Sequence, residues 1–82
     1  MSTEEAKKLQ DDLASYNLTG RLFDRLQVVI HGGCAKSTMY KAFQNGSKTP
    51  LLERILITAQ DILREHQEMI AEFEQVPQPA TA

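Results

Sequence analysis

The sequence predicts an all-α protein: a bundle of four to five helices, the last of them long. Three observations carry this. From Ala6 to Phe73, apolar residues recur every three to four positions, the period of one helix face. The interruptions fall on residues that stop or start helices: Asn17, Gly32-Gly33, Asn45-Gly46 and Thr49-Pro50. From Pro50 to about Gln75 no breaker intervenes, a stretch that would span roughly 39 Å at 1.5 Å per residue.

Each element has its own local reason. Ser2-Thr3-Glu4-Glu5 has capping-box spacing, with Ser2 positioned to accept the third helical N–H and Glu5 to reach back. The stripe Ala6, Leu9, Leu13 and Tyr16 follows, with Asn17 as its stop. Thr19 is placed to cap a second helix carrying Leu22, Phe23, Leu26, Val29 and Ile30 on one face. The β-branched run Val28-Val29-Ile30 would suit a strand as well. Gly32-Gly33 ends that helix, because glycine tolerates positive φ. A short helix from Ala35 to Gln44 then places Met39 and Phe43 on one side, and Asn45-Gly46 closes it with residues suited to left-handed positions. Thr49-Pro50 starts the long helix, a threonine cap followed by proline where no N–H is needed. Residues 1–75 are expected to form a single domain, and the Pro-containing, uncharged tail 76–82 to be disordered.

Composition narrows the function. Eighty-two residues make about one small domain, too small for a deep enzyme cleft. A single cysteine excludes an internal disulfide framework. With no run of 18 apolar residues and a polar start (MSTEEAKKLQ), neither a membrane span nor a signal peptide is expected; the expected setting is a reducing cytoplasm. His31 and Cys34 lie three apart, but no second pair completes four metal ligands. There is no Ser/His/Asp set and no phosphate-cradling glycine loop, so no enzyme, metal or cofactor is expected.

The formal net charge of −2 conceals segregation. Residues 21–54 carry Arg21, Arg25, Lys36, Lys41, Lys48 and Arg54 against only Asp24 and Glu53. Residues 55–82 carry Arg64 alone against Asp61, Glu65, Glu68, Glu72 and Glu74. No acid occurs between Val28 and Leu52. A basic centre between acidic flanks is the charge pattern of a chain that can meet nucleic acid despite its negative total.

Two short helices joined by a glycine turn and followed by a capped longer helix is the layout of a helix-turn-helix. The run Gly33-Cys34-Ala35-Lys36-Ser37-Thr38-Met39-Tyr40-Lys41-Ala42-Phe43-Gln44-Asn45-Gly46 resembles the turn and recognition helix of the λ-repressor-like superfamily, which includes phage repressor, Cro and LacI-type headpieces. Gly33 matches the turn glycine, Cys34 the small apolar residue, Thr38-Met39-Tyr40-Lys41 the T-V-S-R-like stretch, Phe43 the second core position, and Asn45-Gly46 the close. Thr49 to Leu56 resembles the helix that closes the core, and the likeness covers roughly residues 19–65. Ala35 stands where a capping serine is usual, a role left to Ser37 or a phosphate oxygen, and Val29 stands where alanine is usual.

The resemblance implies sequence-specific binding of double-stranded DNA by a transcriptional regulator. With Cys34, Met39 and Phe43 inward, Lys36, Ser37, Tyr40, Lys41 and Gln44 fall on the outer side. Lys36, Ser37 and Lys41 are the expected base readers. Thr38, Tyr40, Gln44, Asn45, Lys48 and Thr49 are the expected backbone holders, although glutamine can also bond adenine and the Tyr40 ring can cover the core edge. In the long helix, Leu52, Leu56, Ala59, Leu63, His66, Ile70 and Phe73 step by alternating fours and threes, a heptad seam. Past His66 the domain should be complete, leaving Met69, Ile70 and Phe73 either to the stripe of the first helix or to a second copy; homodimerisation is the expectation adopted. The competing reading is a protein-interaction module, such as an adaptor, antitoxin or phage accessory protein, favoured by the acidic last helix.

Overall fold

The computed structural model describes residues 1–75, and these form four helices: α1 (Thr3–Ser15), α2 (Thr19–Val29), α3 (Lys36–Asn45) and α4 (Pro50–Gln75). Among the described residues there is no strand, so the Val28–Ile30 run is not one. The tail 76–82, expected to be disordered, lies outside them.

Local chemistry sets the ends of α1. The Ser2 hydroxyl oxygen accepts the Glu5 N–H at 3.2 Å. Glu5 reaches back as expected, but its carboxylate accepts from the Ser2 hydroxyl at 3.3 Å. At the other end Asn17 adopts φ +57°, the Asn17 N–H donates to Ala14, and the Leu18 N–H donates to Leu13 at 2.8 Å. This is the Schellman arrangement, with asparagine in the left-handed position and Leu18 and Leu13 both buried behind it.

That closure displaces the expected cap of α2. Thr19 is the first helical residue, while Leu18 holds the cap position without a side-chain bond and its carbonyl accepts from Leu22. Burial of the Leu18 side chain fixes the chain where a threonine hydroxyl was expected to do so. Helix α2 stops at Val29 because Ile30 turns extended (φ −101°, ψ 123°), two residues before the glycines. The connection to α3 is residues 30–35, with Gly32 and Gly33 at φ +83° and +82°.

Helix α3 packs on α1 and α4 through Met39, Ala42 and Phe43, all buried. It ends at Gly46, whose φ is +71°. Asn45, expected to share the left-handed turn, remains helical. Thr49 caps α4 as expected, its hydroxyl accepting the Leu52 N–H at 3.2 Å with Pro50 in the first helical position.

One core gathers apolar residues from every helix, and α4 touches α1, α2 and α3. Its buried face is Leu52, Ile55, Leu56, Ala59 and Ile62. The buried Thr58 hydroxyl is satisfied by donating to the Arg54 carbonyl at 2.8 Å. Arg25 and Glu65 join α2 to α4 through a forked ion pair, one arm at 3.1 Å. Tyr16 meets His66 with ring centroids 4.7 Å apart, and there α1 ends. The rest of α4 projects, giving extents of 54 × 27 × 17 Å.

Candidate nucleic-acid interface

The site follows from the burial of α3. Its inward residues are spaced three and four apart, so the residues between them must face out. Lys36, Ser37, Tyr40, Lys41 and Gln44 are all exposed and share that side. Thr38 and Asn45 are half-buried at its margins, and Lys48 and Thr49 are exposed beyond the α3 end. Thr49 already accepts a backbone N–H as the α4 cap, so only its hydroxyl hydrogen is left for a ligand.

Two features refine the expected roles. The Lys36 ammonium lies 5.4 Å from the centre of the Phe23 ring, a cation–π contact that leans it toward α2. Lys41 has no such partner among the described contacts. An open groove runs between α2 and α3, lined by Thr19, Gly20, Phe23, Asp24, Lys36 and Tyr40. Asp24 thus borders the basic face although it lies outside the acid-free stretch of sequence.

The start of α3 has no side-chain cap: Ala35 cannot supply one, and Ser37 does not substitute. Order in the preceding turn comes from a residue that the sequence did not single out. The Gln27 side-chain amide donates to the carbonyls of Phe23 (3.1 Å) and Cys34 (2.7 Å), while its oxygen accepts the Cys34 N–H at 3.0 Å. This clasp joins the last turns of α2 to the chain entering α3. The only cue in sequence was a glutamine five residues before a Gly-Gly pair.

Cys34, expected to be a small buried apolar residue, is half-buried; its thiol donates to the Ala35 carbonyl at 3.4 Å and burial raises its pKa. A raised thiol pKa gives little thiolate at neutral pH, which fits packing more than reactivity. Gly46 and Ser47 bind the other end of α3 to the start of the chain. The Ser47 N–H donates to the Met1 carbonyl at 3.1 Å, and the Met1 amine donates to the Ser47 hydroxyl at 3.2 Å.

The residues expected to dimerise are solvent-facing. Met69 is 51% exposed, Ile70 37% and Phe73 80%, and α1 does not extend to cover them. Val28, Leu51 and Ile57 are exposed as well. Among the described residues no three His, Cys, Asp or Glu side chains are placed to hold a metal ion, and no helix is long and apolar enough to cross a membrane. Comparison with models of known families, with curated proteins and with solved structures returns no match.

Proposed function

We propose that this chain binds double-stranded DNA sequence-specifically, as a homodimeric transcriptional regulator of the λ-repressor-like helix-turn-helix kind, with α3 in the major groove. The observation that carries the reading is the outer face of α3: two lysines, a serine, a tyrosine and a glutamine, all exposed, in a stretch without an acid from Val28 to Leu52. Lysine and glutamine are suited to guanine and adenine edges, and the hydroxyls to either base or phosphate. Lys36, Ser37 and Lys41 are the base readers in this reading, with Lys41 the freest and Lys36 leaning on Phe23 toward α2. Lys48 and Thr49 suit phosphate at the other end. The turn, residues 30–35, is longer than the usual three or four, and the Gln27 clasp supplies the order that a shorter turn would have by itself.

The experiment is a binding selection on random duplexes with the purified chain, followed by salt titration on the enriched site. Enrichment of a discrete sequence, with affinity falling steeply with salt, supports the reading. No binding at low salt, or affinity indifferent to salt, refutes it. That second outcome would favour a protein-interaction module, which has its own support in the exposed Val28, Leu51 and Ile57 and in the acidic end of α4.

A further inference from the structure

The homodimer in the proposed function leaves open how two copies would meet, and the projecting end of α4 has features that restrict the answer. We infer that the last turns of α4 pair antiparallel with the same segment of a second copy, Ile70 crossing Ile70 and Phe73 of each copy closing over the Tyr16–His66 pair of the other.

The charge pattern comes first. Leu63, His66, Ile70 and Phe73 continue one seam; of the positions flanking it, Gln67 and Met69 are uncharged and Glu74 is acidic. The other charges lie elsewhere on the helix: Arg64 is held between Asp61 at 3.1 Å and Glu68 at 3.9 Å, Glu65 pairs with Arg25, and Glu68 and Glu72 fall on the side away from Ile70. With Ile70 crossing Ile70, Glu74 of each copy stands level with the His66–Gln67 turn of the other and about 12 Å along the axis from its counterpart, so two identical acidic helices approach without bringing their glutamates together.

Direction follows from what already covers the seam. Tyr16 lies on His66, so α1 occupies the seam face up to that residue. A parallel, in-register partner would have to bring its own His66 and Tyr16 to the same level, with two copies of α1 wedged between the α4 helices. Antiparallel pairing places the two domain bodies at opposite ends instead. His66 and Phe73 are one heptad apart, about 10 Å along the axis, so crossing at Ile70 sets Phe73 of each copy opposite His66 of the other. There Phe73, 80% exposed, meets the open side of Tyr16, 45% exposed: ledge and plug lie on the same chain, as a two-fold interface requires. The overlap is small, below the roughly 1,200 Å² of a standard interface, so the dimer should dissociate in the micromolar range. Each α3 face would stand at the far end of the paired helices from the other.

Cysteine cross-linking in a Cys34→Ala background tests the direction, with circular dichroism confirming that each variant is folded. Ile70→Cys alone should cross-link to itself. Phe73→Cys alone should not, whereas a mixture of His66→Cys and Phe73→Cys chains should give the mixed species. In the unmutated chain, isotope-filtered NMR on a mixed labelled sample should show contacts between the Tyr16 and Phe73 rings of different molecules, and Phe73→Ser should raise the dissociation constant at least about tenfold by sedimentation. Self-cross-linking of Phe73→Cys without the mixed species would overturn the antiparallel arrangement while leaving a dimer. A wild-type monomer at about 100 µM, a concentration well above the expected range, would overturn both the pairing and the homodimer of the proposed function. Neither result depends on DNA, so the DNA assignment stands or falls separately.

Discussion

Substituting alanine at three glycines separates two costs that usually arrive together. Gly20 lies within α2 and an added Cβ would meet nothing within 4 Å; Gly20→Ala should stabilise by about 0.4–1 kcal/mol through the unfolded chain. Gly32 has equal space but φ +83°, so Gly32→Ala should cost only the left-handed strain, about 1–2 kcal/mol. Gly46 has both problems. Its φ of +71° and ψ of −160° belong to a region kept almost entirely for glycine, costing about 1–3 kcal/mol for another residue. Its added Cβ would also stand 2.8 Å from the Met1 carbonyl oxygen and 3.2 Å from the Ser2 carbonyl carbon. These are backbone atoms, and the Met1 oxygen is pinned by the Ser47 N–H, so relief requires shifting α1 against α3, worth about 1–3 kcal/mol more. Gly46→Ala should therefore lose about 2–6 kcal/mol, a large part of the roughly 4–12 kcal/mol expected of a chain this size. Urea denaturation followed by circular dichroism gives all three values on one scale. If Gly46→Ala costs no more than Gly32→Ala, the contact between the α3 end and the chain start does not hold in solution.

Three other outcomes are expected. Lys41→Ala should change the preference at one or two base positions, whereas Lys48→Ala should weaken all duplexes alike and lower the salt slope by about 1; equal, sequence-blind losses would show that α3 does not read bases. Thr49→Ala should destabilise by about 1 kcal/mol through loss of the Leu52 N–H cap, with denaturant unfolding as the measure and an unchanged midpoint as the contrary result. The hydrogen bonds from Arg25 hold the Glu65 pKa below the ordinary glutamate value, so this pair stabilises fully above that ordinary value and the benefit is lost as pH falls through the lowered one. Arg25→Met should return Glu65 to the ordinary range in an NMR titration and narrow the stability gap to wild type in acid; an unmoved Glu65 titration would refute the pairing.

What the sequence disclosed was the chemistry that acts within a few residues. Ser2 and Glu5, Asn17, Thr49-Pro50 and the stripes of α1 and α3 could be placed because a cap or a helix face is defined by spacings of three and four. Thr19 was misplaced because burial of Leu18, a tertiary event, determined how α2 begins. Of the candidate site, the exposed basic face of α3 was legible as an acid-free window along the chain. Its spatial neighbours were not: Asp24 and Phe23 approach from another helix, Arg25 finds Glu65 across 40 positions, and Gln27 bonds a peptide whose direction depends on two positive-φ glycines.

The division of α4 at His66 has a dynamic consequence. Up to that residue, breaking a backbone hydrogen bond requires disturbing the core, so amide protons there should exchange only on near-global unfolding. Beyond it the helix is held by its own hydrogen bonds and the exposed Arg64–Glu68 pair, and a segment of two or three turns without packing is marginal in water. One uninterrupted helix therefore reports two opening free energies, high along its first four turns and near zero at its end. Whatever covers Ile70 and Phe73 would register as slowed exchange in those last turns, without any change in the protection of Ile55 or Ile62.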